Sequence, residues 1–231
     1  MTIPESVRRL ERDLRGIFGS RLSSLVVYGA QAQAHAHAHT LAVVDGLSRD
    51  DLRACAARVD AWHDDGLATP LFLGAHEFAS SLDAFPLEFG AIIASHVVVS
   101  GVNPFDGLTV DAGDLRRAVE VQARGHLLHL REGYVETRGR SDALAVLIVS
   151  SAPALATLLL SVARLDGRAG NDAAAAARHV ERMLGLTSRV LAEVAALANV
   201  KEISSAEADR LFAPYLDAVD ALVARVDTFT K

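Results

Sequence analysis

The sequence predicts an α/β (α+β) sheet domain over residues 1–110 followed by an α-helical bundle domain over residues 111–231. Three observations carry this reading. Short aliphatic runs crowd the first part: residues 25–28 (Leu-Val-Val-Tyr), 41–44 (Leu-Ala-Val-Val) and 96–100 (His-Val-Val-Val-Ser). Runs of this length and composition, bounded by turn residues, are the signature of strands. Residues 101–107 (Gly-Val-Asn-Pro-Phe-Asp-Gly) then concentrate turn formers, which marks a boundary. Beyond them apolar residues recur every three or four positions, the spacing of a helix with one buried face.

Each element follows in order. Val7, Leu10, Leu14 and Ile17 give a first helix that Gly19 stops. The first strand, near residues 24–29, ends at Gly29, and the second occupies residues 40–45. Ser48 and Asp51 have capping-box spacing and open a helix running to about His63. Residues 68–74 resume strand character. Phe85, Leu87 and Phe89 alternate with Pro86 and Glu88, so residues 84–90 are expected to form a strand beside the first two, with Glu88 on its polar side. A long helix over residues 111–134 follows, with Leu115, Val119, Leu127, Leu130 and Tyr134 on its buried stripe. Helices are expected at 142–165, 172–200 and 204–229, the last opened by Ser204 and Glu207 at capping-box spacing.

Composition narrows the function classes. The net charge is −6, from 23 basic and 29 acidic residues, and neither half is basic enough to capture a phosphate backbone, so dedicated nucleic-acid binding is not expected. Hydrophobic residues make up 51% and aromatic residues 5%, so the core must be built from Ala, Val and Leu. Cys55 is the single cysteine. It excludes an internal disulfide and a thiolate zinc cage, and with Leu52, Val59 and Trp62 it reads as a small buried hydrophobe. The charged N-terminal segment lacks a signal-peptide core, which makes the cytoplasm the expected location. Residues 143–163 carry no charge, a length able to span a bilayer. Pro153, Ser150, Ser151, Thr157 and Ser161 instead favour a buried helix, or two short helices hinged at Pro153, and no membrane association is expected.

The order helix, strand ending in glycine, strand, helix, strand resembles the nucleotidyltransferase fold of the DNA polymerase β superfamily. It is most like the bacterial minimal and antibiotic-type members that carry a C-terminal helical domain. Residues 85–89 and the pattern Leu115, Arg116, Arg117, Glu120, Arg124, Gly125, Leu128, His129, Leu130, Arg131 add to the likeness. The resemblance implies a Gly-Ser turn whose backbone N–H groups approach a triphosphate. It implies an Asp-x-Asp pair entering the second strand and a third carboxylate on a neighbouring strand, together holding Mg²⁺ with the nucleoside triphosphate.

Carried over by position, Gly29 matches the glycine and Ala30 replaces the serine. Ala38 and Thr40 occupy the aspartate positions, and Glu88 is the best match for the third acid. The resemblance therefore implies transfer of a nucleoside monophosphate to a small-molecule or protein acceptor by a catalytically impaired relative. The alternative is a non-catalytic module, regulatory or antitoxin-like, that binds a nucleotide, a protein partner or a second copy of itself. Arg124 and Arg131 lie on one helix face, readable as a solvated face or as a phosphate contact. Residues 31–39 hold the remaining oddity. If they are extended, His35, His37 and His39 share one side and suit Zn²⁺, Ni²⁺ or Cu²⁺. A one-residue register change puts His37 and His39 in the aspartate positions, and a low-complexity loop is the other reading.

Overall fold

The computed structural model describes residues 3–29, 38–168 and 170–229. The chain divides into two compact units between Val110 and Asp111.

The first unit is built on a four-stranded sheet. The chain runs α1 (Glu5–Phe18), β1 (Leu22–Tyr28), β2 (His39–Val44), α2 (Arg49–Ala56), α3 (Val59–Asp64), β3 (Leu71–Gly74), α4 (Phe78–Ala84), α5 (Pro86–Ala94) and β4 (His96–Gly101). The spatial order is β3-β2-β1-β4, with β1 antiparallel to both neighbours and β2 parallel to β3.

Side-chain alternation divides the sheet into two apolar layers. Leu25 and Val27 of β1, with Ala42 and Val44 of β2, meet Val7, Leu10, Leu14 and Phe18 of α1, Cys55 of α2 and Trp62 of α3. On the other face Val26, Leu41 and Val43 meet Phe78 and Leu82 of α4, Phe89 and Ile92 of α5, and Phe105. Cys55 is buried, as its spacing expects, and burial pushes its thiol up to about 11. The capping box at Ser48 and Asp51 is present, and the Arg21 guanidinium beside Asp51, at 2.7 Å, holds that carboxyl below the usual range.

Two expectations are corrected here. The helix expected to reach His63 breaks after Ala56 and restarts at Val59. More important for the site, residues 84–90 form no strand: α5 begins at Pro86, so Glu88 lies in a helical first turn. Five alternating residues are too few to separate period 2 from the start of a helix. Pro at the first helical position pre-sets φ and sacrifices no hydrogen bond, and Phe89 and Ile92 then bury one helical face against the sheet.

The second unit contains α6 (Ala112–Thr137), α7 (Ser141–Leu165), α8 (Ala173–Met183), α9 (Val190–Ala195), a 3₁₀ turn at Ala196–Asn199, and α10 (Ser205–Asp227). Asp111 and Ser204 accept the first-turn N–H groups of α6 and α10. The segment expected as one helix over 172–200 is interrupted between Met183 and Val190. α7 runs through Pro153 without a break, which excludes the hinged pair of helices. Its hydroxyls are satisfied locally: Ser150, Ser151, Thr157 and Ser161 donate to Leu147, Ile148, Pro153 and Thr157 carbonyls. Among the described residues it is the one helix long and apolar enough to cross a membrane, with a mean hydropathy of 2.3 in its best window. Leu144, Ile148, Ala152, Leu155, Leu158, Leu159 and Val162 form its buried face, and it packs against α6, α8 and α10.

Candidate functional site at the end of the first strand

The candidate site begins where β1 stops. Gly29 adopts φ 67°, a left-handed conformation that glycine reaches without strain, so the turn needs this residue. Tyr28 directly precedes it and is flanked on both sides. It pairs with His39 on β2 and with His96 on β4. Directly opposed residues of antiparallel strands share a face, so His39, Tyr28 and His96 form one row across the sheet, on the side of α4 and α5.

The row has defined contacts. The Tyr28 and His39 rings stack with centroids 5.8 Å apart. Burial raises the Tyr28 phenol above its ordinary pKa. Nδ1 of His96 lies 3.1 Å from the Ile92 carbonyl, and its Nε2 lies 3.1 Å from Oδ1 of Asn103. The Phe105 N–H donates to that same oxygen, fixing the amide's orientation. The Phe105 ring closes the end of the row, 4.8 Å from His96.

Neighbouring residues of β2 take opposite faces of the sheet. Thr40 is 0% exposed, and its hydroxyl has no hydrogen-bond partner. It pairs with Val27 and, like Ala38, belongs to the layer under α1, α2 and α3. A carboxylate at residue 40 would be sealed from solvent. His39 is exposed on the opposite face. Of the two neighbouring residues, His39 and not Thr40 is the one that reaches solvent. His35, His37 and Ala30 lie outside the described residues. Among the described residues no group of three or more His, Cys, Asp or Glu side chains is placed to hold a metal ion.

The remaining candidates are dispersed. Glu88 is exposed in the first turn of α5, an element that packs on the same sheet face as Tyr28. Arg124 pairs with Asp227 at 2.6 Å and with Glu120 at 3.4 Å. Arg131 pairs with Asp220 at 2.7 Å. Both arginines fasten α6 to α10. Sequence reasoning missed Tyr28 and His96 as site residues. The only signal for them is strand pairing, which puts residues 28, 39 and 96 in one row although they are far apart in the chain.

The sheet also lacks acid. None of its strands (Leu-Ser-Ser-Leu-Val-Val-Tyr, His-Thr-Leu-Ala-Val-Val, Leu-Phe-Leu-Gly, His-Val-Val-Val-Ser-Gly) contains Asp or Glu.

No protein-family model matches the chain, and no curated protein does. Among solved structures, the spectinomycin adenyltransferase AAD(9) from Enterococcus faecialis, determined with ATP and spectinomycin, aligns with a TM-score of 0.61. The alignment covers 97% of this chain and 99% of that chain at 10% sequence identity. The chain has a nucleotidyltransferase-like fold. At that identity the likeness is one of fold.

Proposed function

We propose that this chain is a nucleotidyltransferase-fold protein that binds a nucleoside triphosphate weakly and does not carry out two-metal transfer. The observation behind this reading is the absence of any carboxylate from the sheet strands, with a His-Tyr-His row at the end of β1. Two-metal transfer stabilises the attacking and leaving oxygens with ions held about 3.5–4 Å apart. Mg²⁺ takes hard oxygen ligands, whereas imidazole suits softer ions. The residues of this site do not fit a pair of Mg²⁺ ions, so no step is routed through them.

What the site offers a nucleotide is different. The backbone at Gly29 turns without a side chain in the way of a phosphate. The exposed His39 imidazole supplies a ring N–H donor, and the Tyr28–His39 pair supplies a stacking face. The structural neighbour's ATP makes a nucleotide the ligand to test first. Binding without turnover is the behaviour of a regulatory module, and we propose the cytoplasm as its location.

A second reading keeps transfer, to a small-molecule or protein acceptor, with Glu88 as the surviving acid. It is favoured by the position of α5 on the Tyr28 face. Titration calorimetry with ATP, with and without Mg²⁺, and turnover of labelled nucleoside triphosphates decide between them. Binding that is insensitive to Mg²⁺, weakened in Gly29→Val and without turnover, is the expected result. Mg²⁺-dependent transfer that disappears in Glu88→Gln would establish the second reading.

A further inference from the structure

We propose that His96 carries a proton on both ring nitrogens at neutral pH, and that this imidazolium is the resident cation of the site at the end of β1, where it attracts the phosphates of a nucleotide. The charge stands on the contacts of the ring itself. Its role toward phosphate rests on the nucleotide reading given above.

Both ring nitrogens face oxygens that can only accept. Nδ1 lies 3.1 Å from the Ile92 carbonyl and 3.2 Å from the Ile93 carbonyl. Nε2 lies 3.1 Å from Oδ1 of Asn103. The amide cannot be turned to offer its NH₂ group, because the Phe105 N–H donates to that same oxygen at 3.1 Å. A reversed amide would set two donors against each other. A neutral imidazole has one N–H and one lone pair. In either tautomer the lone pair would face an oxygen. The imidazolium alone donates in both directions.

The place in the fold favours the same charge. Ile92 and Ile93 belong to the last turn of α5. The carbonyls of a last turn are the negative end of the helix dipole, and a histidine cation is stabilised there. The elements around the ring carry few ionisable side chains: Tyr28 on β1, Asp83 on α4, Glu88 on α5 and Asp106 in the loop beyond Asn103. Among the described residues none of these forms an ion pair with His96. The charge is therefore left without a counter-ion from the chain.

Its position makes that charge useful. His96 pairs directly with Tyr28, the residue before Gly29, and no strand of this sheet contains Asp or Glu. A fixed positive charge at a sheet edge raises the local concentration of an anionic ligand without touching it. Both N–H groups stay committed to the protein, so His96 acts by its charge and not as a phosphate contact. Such a cation lets a site that lacks carboxylates for Mg²⁺ draw in a triphosphate without the metal.

The test uses the whole chain with isotope-labelled histidine. At neutral pH an exposed imidazole is mostly uncharged. Nitrogen NMR should nevertheless show one histidine with protons on both ring nitrogens, and that signal should vanish in His96→Gln. Asn103→Leu should strip the proton from Nε2 while His96 itself stays in place. ATP titrated without Mg²⁺ should bind several-fold more weakly to both variants than to the unmodified chain. A ring of His96 with one bare nitrogen in the unmodified chain overturns the proposal. So does ATP affinity that is equal in all three proteins. An unmodified chain that shows the doubly protonated ring but binds no ATP upholds the cation and defeats the nucleotide reading on which its role rests.

Discussion

Tyr28 and His39 lie directly opposite each other on β1 and β2, their rings 5.8 Å apart and inclined by 29°. This pairing fixes which face of β2 each neighbour of His39 occupies. Thr40 goes under α1, α2 and α3, while His39 stays on the side of α4 and α5, where solvent reaches it.

The first prediction follows from that division. Thr40→Asp places a carboxylate at a position that is 0% exposed, with no partner for the hydroxyl already there. An uncompensated buried charge costs about 3–5 kcal/mol. His39→Asp, at an exposed position, should change stability by less than about 0.5 kcal/mol. Urea midpoints measure both. Of the two, only His39→Asp should introduce Mg²⁺-dependent nucleotide binding. Equal tolerance of both substitutions would mean that β2 is turned the other way.

The second prediction concerns Gly101, the last residue of β4. Its φ is 80°, and a Cβ there would run into the Ser23 carbonyl on β1. A side chain in this conformation costs about 1–3 kcal/mol, and the obstacle is backbone, which cannot swing aside. Gly101→Ala should therefore lower the urea midpoint, whereas Gly125→Ala, inside α6 where a Cβ would meet nothing within 4 Å, should raise it slightly.

These two positions show what local sequence carries. α1, the Ser48–Asp51 capping box, β1, β2 and β4 are legible because each is written in a few consecutive residues. The failure at residues 84–90 has the same origin. Alternation of Phe85, Leu87 and Phe89 is a short-range cue, and it is overridden by Pro86 starting a helix whose Phe89 and Ile92 bury against the sheet. The site is less legible than the fold because it depends on register. A one-residue slip moves every side chain to the other face, which is the difference between Thr40 and His39. The convergence of Tyr28, His39 and His96 depends on pairings between strands remote in sequence. The ion pairs of Arg124 and Arg131 depend on where α10 docks. No spacing within α6 reports that.

The third prediction concerns α7. Its composition alone passes for a membrane span. Its aliphatic face is buried against neighbouring helices, and its hydroxyls bond to its own carbonyls. The full chain should be recovered from the soluble fraction without detergent. Recovery solely with membranes would show that α7 is taken up by lipid.

The last prediction is a pH dependence. In the helical unit Nε2 of His126 lies 2.6 Å from the Tyr215 hydroxyl, which is also 3.1 Å from Oγ of Ser151. His126 is 9% exposed and Tyr215 fully buried. Burial, with a smaller contribution from the nearby His129, lowers the His126 imidazole to about 4 from its ordinary value of 6.5. The folded state thus holds the ring neutral, with Nε2 accepting from Tyr215. Between about pH 6.5 and pH 4 the unfolded chain binds a proton that the folded chain does not, so stability falls as pH falls through that window. The loss has a ceiling on the order of 3 kcal/mol, at about 1.36 kcal/mol for each unit of displacement. His126→Gln should flatten the stability profile between pH 4 and 6.5. Tyr215→Phe should cost about 1–3 kcal/mol at neutral pH, because it leaves Nε2 buried without its donor. It should cost less near pH 4, where the wild type is losing the advantage of the neutral ring. Urea denaturation of the three proteins across that range is the measurement. A His126→Gln profile parallel to that of the wild type would show that His126 remains protonatable in the folded state and that the acid sensitivity arises elsewhere.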